Sequence, residues 1–393
     1  MSTAEIVILS GARTPMGALH GELASVSAPQ LGATAISAAL ANSGLAADAV
    51  DEIFMGCVLP AGLKQCPARQ AAIGAGIPVS AGAVTLNKAC GSGMQAVMFG
   101  ADTLKSGTNE VVVTGGMESM SNAPHLIPNA RSGVRAGHKT IYDHMFLDGL
   151  EDAYSGGSMG SFAQEIADAK GIGRKRMDEF AISSLTRAQE AMNSGALKPE
   201  IAPVTVKHRK GDFVISEDEQ PRKANIEKIP SLRPAFAKDG SITAANSSSI
   251  SDGASALVLT TADYAAQHQL SPVAKLVAHS RHSQIPGEFS LAPIGAIEKL
   301  LAKTGWQVDD IDLFEINEAF AVVTLLAIDA LQLDAEKVNV FGGACAQGHP
   351  IGSSGSRIIV TLINALKQRG GKRGVAALCI GGGEATAVAI ELL

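Results

Sequence analysis

The chain alternates short apolar runs with alanine-rich stretches of helical period. Ile6-Val7-Ile8-Leu9, closed by Ser10-Gly11, has the length and continuity of a buried strand. Residues 29–48 carry Ala and Leu at helical spacing. Val111-Val112-Val113-Thr114 ends in Gly115-Gly116 as a second buried strand. This alternation predicts an α/β architecture. A pattern then recurs. Asn87-Lys88-Ala89-Cys90-Gly91-Ser92-Gly93 precedes a helix marked by Met94, Val97, Met98, Ala101 and Leu104, with Val111–Gly116 beyond it. Gly348-His349-Pro350-Ile351-Gly352-Ser353-Ser354-Gly355 precedes a helix marked by Ile358, Ile359, Leu362 and Leu366, with Val375–Ile380 and three glycines beyond it. Loop, helix and glycine-ended strand in the same order predict two duplicated α/β units.

The pattern changes between the two units. From Ser119 to Asn246 charge, histidine and proline increase, residues 121–160 are irregular, and a charged helix spans about Lys175 to Met192 before the stop Asn193-Ser194-Gly195. Small apolar residues return after Asp252-Gly253. Residues 119–249 therefore read as an insertion, giving a first half of 1–118 plus 250–270 and a second half of 271–393. The most apolar stretch, Ala319 to Ile328, stops at Asp329 and is too short to cross a bilayer.

Composition narrows the function. The 393 residues are 46% hydrophobic and 18% charged, enough for a large core in two or three domains. With 4% aromatics and a net charge of −6, bulk nucleic-acid binding is disfavoured. The five cysteines (57, 66, 90, 345 and 379) form no CxxC, so free thiols in a reducing compartment fit better than disulfides or structural zinc. The N-terminus shows no basic segment followed by an apolar one, and the expected location is cytoplasmic.

Four positions carry candidate chemistry. Cys90 lies in a glycine turn ahead of a helix, where free N–H groups and the dipole are expected to lower a thiol pKa. Taken alone it is equally readable as a structural cysteine. His349 occupies the matching loop of the second unit, and Cys with His is an activated-nucleophile pair. Cys379 ends a strand before three glycines, as a core cysteine also would. Asn317 leaves the strand Leu313–Ile316 either as a helix cap or as a polar group held over a site.

Together the segments NKACGSGMQAV, NEAF, GGACAQGHPIGSSGSR and CIGGG resemble the motif set of the thiolase family, the acetyl-CoA acetyltransferases and 3-ketoacyl-CoA thiolases. SGARTPMG, PARQAA, GGMESMS, DEFAISS, LRPAF and NSSSISDGAS extend the resemblance over the whole chain. It implies two like-folded halves in a five-layer αβαβα core, with a loop domain inserted in the first. Cys90 is then the acylated nucleophile, His349 its activator, and Cys379 the acid/base. Asn317 would hold a water that completes one oxyanion hole with His349. The N–H groups of Cys90 and Gly381 would form another. Arg222, Ser248, Met159, Phe236, Ala319 and Phe320 would contact coenzyme A or line its tunnel. The implied reaction is reversible condensation of two acetyl-CoA to acetoacetyl-CoA, with coenzyme A thioesters as substrates, nothing else tightly bound, and a homodimer or homotetramer as the active form.

Three departures qualify the resemblance. Ser158 stands before Met159-Gly160 where short-chain members carry histidine, which opens a broader chain-length reading. Cys345 and Gln347 replace small or aliphatic residues, and Glu384 follows the three glycines in place of an apolar residue. A ketosynthase would offer two histidines where this chain has His349 and Cys379. An inactive acyl-CoA-binding protein would have lost at least one of Cys90, His349 and Cys379.

Overall fold

A computed structural model describes residues 4–393. Nine strands follow one another in a sheet in the order Leu313–Ile316, Arg373–Ile380, Glu384–Leu392, Ala274–Ser283, Ile6–Arg13, Ser251–Thr261, Val111–Ser119, Glu52–Gly56 and Gly82–Leu86. The short strand Gly17–Ala18 adds to Ser251–Thr261.

The duplication is visible in the pairing. Val111–Ser119 lies parallel to Glu52–Gly56 and antiparallel to Ser251–Thr261. In the second half, Arg373–Ile380 lies parallel to Leu313–Ile316 and antiparallel to Glu384–Leu392. The two halves meet through three residue pairs, Ile6–Ile8 against Ala274–Leu276. Three glycines connect Arg373–Ile380 to its antiparallel neighbour. At the corresponding place in the first half the chain leaves after Ser119 and returns at Ser251, so the insertion replaces a tight turn.

Helices separate and cover the halves. Ser92–Lys105 and Ser354–Arg369 pack together between the two halves, in a core that draws Met94, Val97, Ile358 and Leu362 together with Leu257 and Leu378. The helix Ala28–Ser43 covers the far face of the first half and Ala292–Thr304 that of the second. The layers therefore run helix, sheet, helix, sheet, helix. The first covering helix is shorter than its alanine pattern predicts: Gly44, at φ 75°, caps it in the left-handed region.

The insertion is fastened to the core by buried charge. Arg13, fully buried at the end of Ile6–Arg13, gives two guanidinium N–H groups to Asp218 at 2.7 and 2.9 Å and its Nε–H to Glu200 at 2.5 Å. Burial opposes the charge on Arg13, but the two carboxylates outweigh it and the guanidinium stays ionised. Glu318 is a second fastening. It accepts from Ser184 of the insertion helix Arg174–Asn193 at 2.7 Å, from Asn339 at 2.8 Å and from the Cys345 N–H at 3.0 Å. Among the described residues no helix is long and apolar enough to cross a membrane.

Candidate active site

The turn carrying Cys90 is built by its neighbours. Asn87 Oδ1 accepts the Ala89 N–H at 3.0 Å, and Ser92 Oγ accepts the Lys88 N–H at 2.8 Å while donating to the Ala89 carbonyl. Ala89 sits at φ 43°, a conformation L-residues rarely adopt. Gly91 is required for contact: a Cβ there would lie 2.3 Å from Ile380 Cδ1 on the strand leading to Gly381. The turn thus places Cys90, from the first half, against the Cys379–Gly381 segment of the second.

The N–H groups of Gly381 and of Cys90 itself favour a Cys90 thiolate. The expected drop in its pKa does not follow. Burial pushes the Cys90 thiol up; the two N–H groups recover part of the shift, and the charge of Glu118 works against them. The helix itself begins only at Ser92, two residues beyond Cys90. Cys379 is buried, and burial and its closeness to Cys90 hold it well above the usual thiol range. Both thiols are protonated at rest.

His349 comes from the matching loop. Gly348, at φ 102°, lets the backbone press on Ser251, whose Oγ would be 2.1 Å from a Cβ at that position. The His349 N–H reaches the Ser249 carbonyl at 3.1 Å and Ser251 Oγ at 3.2 Å. Its Nδ1 lies 2.5 Å from Ser354 Oγ, and its Nε2 has no hydrogen-bond partner among the described residues. Burial, helped by the nearby Arg357 charge, pushes His349 down to about 3, so the ring is neutral near pH 7.

Asn317 follows Ile316, with its N–H on the Ala377 carbonyl at 3.0 Å. It does not cap a helix, since the next one starts at Ala321. Its side chain is buried, and neither amide atom has a partner among the described residues.

Cys90, His349, Cys379 and Gly381 open on one cavity of about 380 Å³. Met159, Phe236, Ser248, Ala319 and Phe320 line it as well. The ring of Phe320 meets Phe236 and Phe289 edge-on, with centroids 6.0 and 6.2 Å apart, so the wall is a packed aromatic surface. Ser158 also lines the cavity. It caps the helix Met159–Ala169, its Oγ accepting the Ser161 N–H at 3.2 Å.

Two expected residues lie elsewhere. Asn317 is buried and is not among the residues that line the cavity. Arg222 is on the exterior, where its Nη2 donates to Glu22 at 2.6 and 2.7 Å. It belongs to the short helix Glu219–Lys223, beside a second cleft of about 210 Å³ lined by Gln220, Asn225, Lys228 and Cys345. This cleft shares Ala244 and Ser249 with the main cavity.

Sequence reasoning missed the supports. Ser354 lay inside a quoted motif without a role. Glu118, in GGMESMS, is fully buried and accepts N–H groups from Val58 at 2.9 Å, Leu59 at 3.1 Å and Gly352 at 2.9 Å, joining the halves behind Cys90. Burial pushes it up to about 7 against the pull of those N–H groups. A glutamate inside an otherwise apolar strand was the available signal, since a buried carboxylate needs partners. Lys88 pairs with Glu384, linking the Cys90 turn to the segment after Gly381.

Two family descriptions match in tandem: "Thiolase, N-terminal domain" over residues 6–263 and "Thiolase, C-terminal domain" over residues 270–392. The chain belongs to the thiolase family. An acetyl-CoA acetyltransferase of Cupriavidus necator is 45% identical over 98% of this chain and 99% of its own length. The crystal structure of the Bacillus anthracis acetyl-CoA acetyltransferase is 40% identical, with a TM-score of 0.97 over 100% of this thiolase and 99% of that chain. The Acat5 thiolase of Ascaris suum, solved in complex with coenzyme A, is 41% identical, with a TM-score of 0.94 over 99% of this chain and 100% of that one.

Proposed function

We propose that this thiolase is an acetyl-CoA C-acetyltransferase, joining two acetyl-CoA to acetoacetyl-CoA and coenzyme A, or running the reverse thiolysis. One observation carries the reading: two thiols and a neutral imidazole share a cavity that Gly381 also lines. The full-length acetyl-CoA acetyltransferase relatives supply the substrate.

The steps balance with these groups. His349 Nε2 takes the Cys90 proton as the sulfur attacks the first thioester. The departing coenzyme A thiolate takes the proton of Cys379. The Cys379 thiolate then removes an α-proton from the second acetyl-CoA. The resulting enolate oxygen is held by the Nε2–H of the His349 imidazolium and a water on the Asn317 amide, which has no protein partner. The enolate attacks the acetyl carbonyl on Cys90, whose oxyanion falls to the N–H groups of Cys90 and Gly381. Collapse frees the Cys90 sulfur, which recovers its proton from His349. One oxyanion donor is worth about 3 kcal/mol in such sites.

The pantetheine arm is assigned to the main cavity, between Met159, Phe236, Ser248 and Phe320. The nucleotide end is assigned to the adjoining cleft, where Lys228 supplies a cation. Arg222 could join it only by leaving Glu22. Five free cysteines suit a reducing compartment, and the cytoplasm is the location we propose. The active form is proposed to be an oligomer. Gly82–Leu86 is the last strand of the sheet, exposes Val84, and runs directly into the Cys90 turn. An open apolar edge of this kind favours pairing with another copy.

The test is kcat/KM for thiolysis of 3-ketoacyl-CoA substrates of increasing length. Activity on the four-carbon substrate is expected, and its absence overturns the reading.

A further inference from the structure

The two ring nitrogens of His349 have different surroundings. Nδ1 lies 2.5 Å from Ser354 Oγ, while Nε2 is buried without a hydrogen-bond partner among the described residues. A serine hydroxyl owns one hydrogen. At the start of the helix Ser354–Arg369, Ser354 Oγ has the Pro350 carbonyl in donating reach at 3.0 Å as well as His349 Nδ1. When the hydroxyl donates to Pro350, whose carbonyl also takes the Ser353 and Ser354 N–H groups, Oγ accepts from the ring and the ring hydrogen sits on Nδ1. Nε2 is then the nitrogen free to take a proton.

We propose that Ser354 is the positioning residue of the active-site histidine: by accepting from Nδ1–H it makes Nε2 the proton acceptor for Cys90, and it supports the imidazolium that persists through the acyl-enzyme stage. This rests on the reading of His349 as the Cys90 base. In the step concerned the Cys90 S–H bond breaks, an Nε2–H bond forms, and the Nδ1–H stays on Ser354. The reverse transfer occurs when the Cys90 sulfur is released.

The surroundings explain why support is needed. Arg357, on the same helix as Ser354, is fully buried, and its nearest carboxylate, Glu315, is 3.9 Å away. None of its guanidinium nitrogens has a hydrogen-bond partner among the described residues, and its charge disfavours an imidazolium at His349. Cys90 and Cys379 line the same cavity as the histidine, and burial raises both thiols and keeps them neutral at rest. Glu118 reaches the same loop only through the Gly352 N–H, and Glu318 is occupied by Ser184, Asn339 and the Cys345 N–H. Ser354 is the one side chain hydrogen-bonded to the imidazole among the described residues. A hydrogen bond from a charged donor is about twice as strong as a neutral one, so its effect is largest when the ring is protonated.

The experiment follows the pH dependence of Cys90 alkylation by iodoacetamide, together with kcat and KM for acetoacetyl-CoA thiolysis. Ser354→Ala is expected to lower kcat by about tenfold to a hundredfold with KM changed by less than about threefold. Its Cys90 alkylation at pH 7 should fall as well, with the midpoint displaced to higher pH. Ser354→Thr and Ser354→Val have the same shape and differ in the hydroxyl. Threonine should restore the alkylation profile and valine should not, which keeps the test open even if the alanine variant does not fold. His349→Gln tests the underlying reading and should lose both activity and the alkylation midpoint. If Ser354→Val matches Ser354→Thr while His349→Gln is impaired, the role of Ser354 is wrong. If His349→Gln leaves the alkylation profile unchanged, the base assignment is wrong.

Discussion

Ser158 shows how one side chain can hold two jobs. It caps the helix Met159–Ala169 and it lines the acyl cavity. Serine leaves space that a larger side chain would fill, and one methylene in an apolar pocket is worth roughly 1–3 kcal/mol. Six-carbon 3-ketoacyl-CoA is therefore expected to be thiolysed within about tenfold of the four-carbon substrate in kcat/KM, a difference of about 1.4 kcal/mol. Ser158→His should widen that gap. It should also weaken the cap by about 1 kcal/mol, so the thermal midpoint is to be read beside the kinetics. A wild-type preference of a hundredfold or more for four carbons would make Ser158 irrelevant to chain length. At this scale the sequence was informative about which candidate residues meet in one cavity and misleading about their state. Cys90 was correctly placed before a helix, yet its thiol is raised by burial, which no local pattern reports. Asn317 read as a possible cap because the helix start was invisible; its unpartnered amide was visible only in three dimensions.

Among the elements, the repeated loop, helix and strand were legible because hydrophobic period and glycine punctuation are local signals. The insertion was legible as a change of composition, but its attachment was not. Arg13, Glu200 and Asp218 lie far apart in the chain, so no local pattern joins them, yet all three are buried together. Removing one partner of a buried ion pair leaves the others uncompensated, at about 3–5 kcal/mol. Arg13→Met should lower stability by that order, measured by urea unfolding, because it strands two buried carboxylates. Exchange of Arg222, whose partner Glu22 is at the surface, should cost about 1 kcal/mol or less. Equal losses from the two substitutions would contradict the fastening role of Arg13.

For the whole molecule, the groups proposed to react come from both halves: Cys90 from the first, His349 and Cys379 from the second. Their meeting depends on the helices Ser92–Lys105 and Ser354–Arg369 packing between the halves. The sequence showed the duplication but not that the halves share a sheet through Ile6–Ile8, because those pairs are long-range. The open edge at Gly82–Leu86 makes an oligomer the expected active state, and light scattering that finds an active 40.2 kDa monomer would contradict it. The central claim is a division of labour between two thiols in one cavity. It is tested most directly by locating the acetyl group by mass spectrometry after brief exposure to acetyl-CoA, in the wild type and in Cys379→Ala. The account predicts acetyl on Cys90 in both, with condensation lost in the variant. An acetyl group on Cys379 or Cys345 in place of Cys90, or normal condensation by Cys379→Ala, would contradict it.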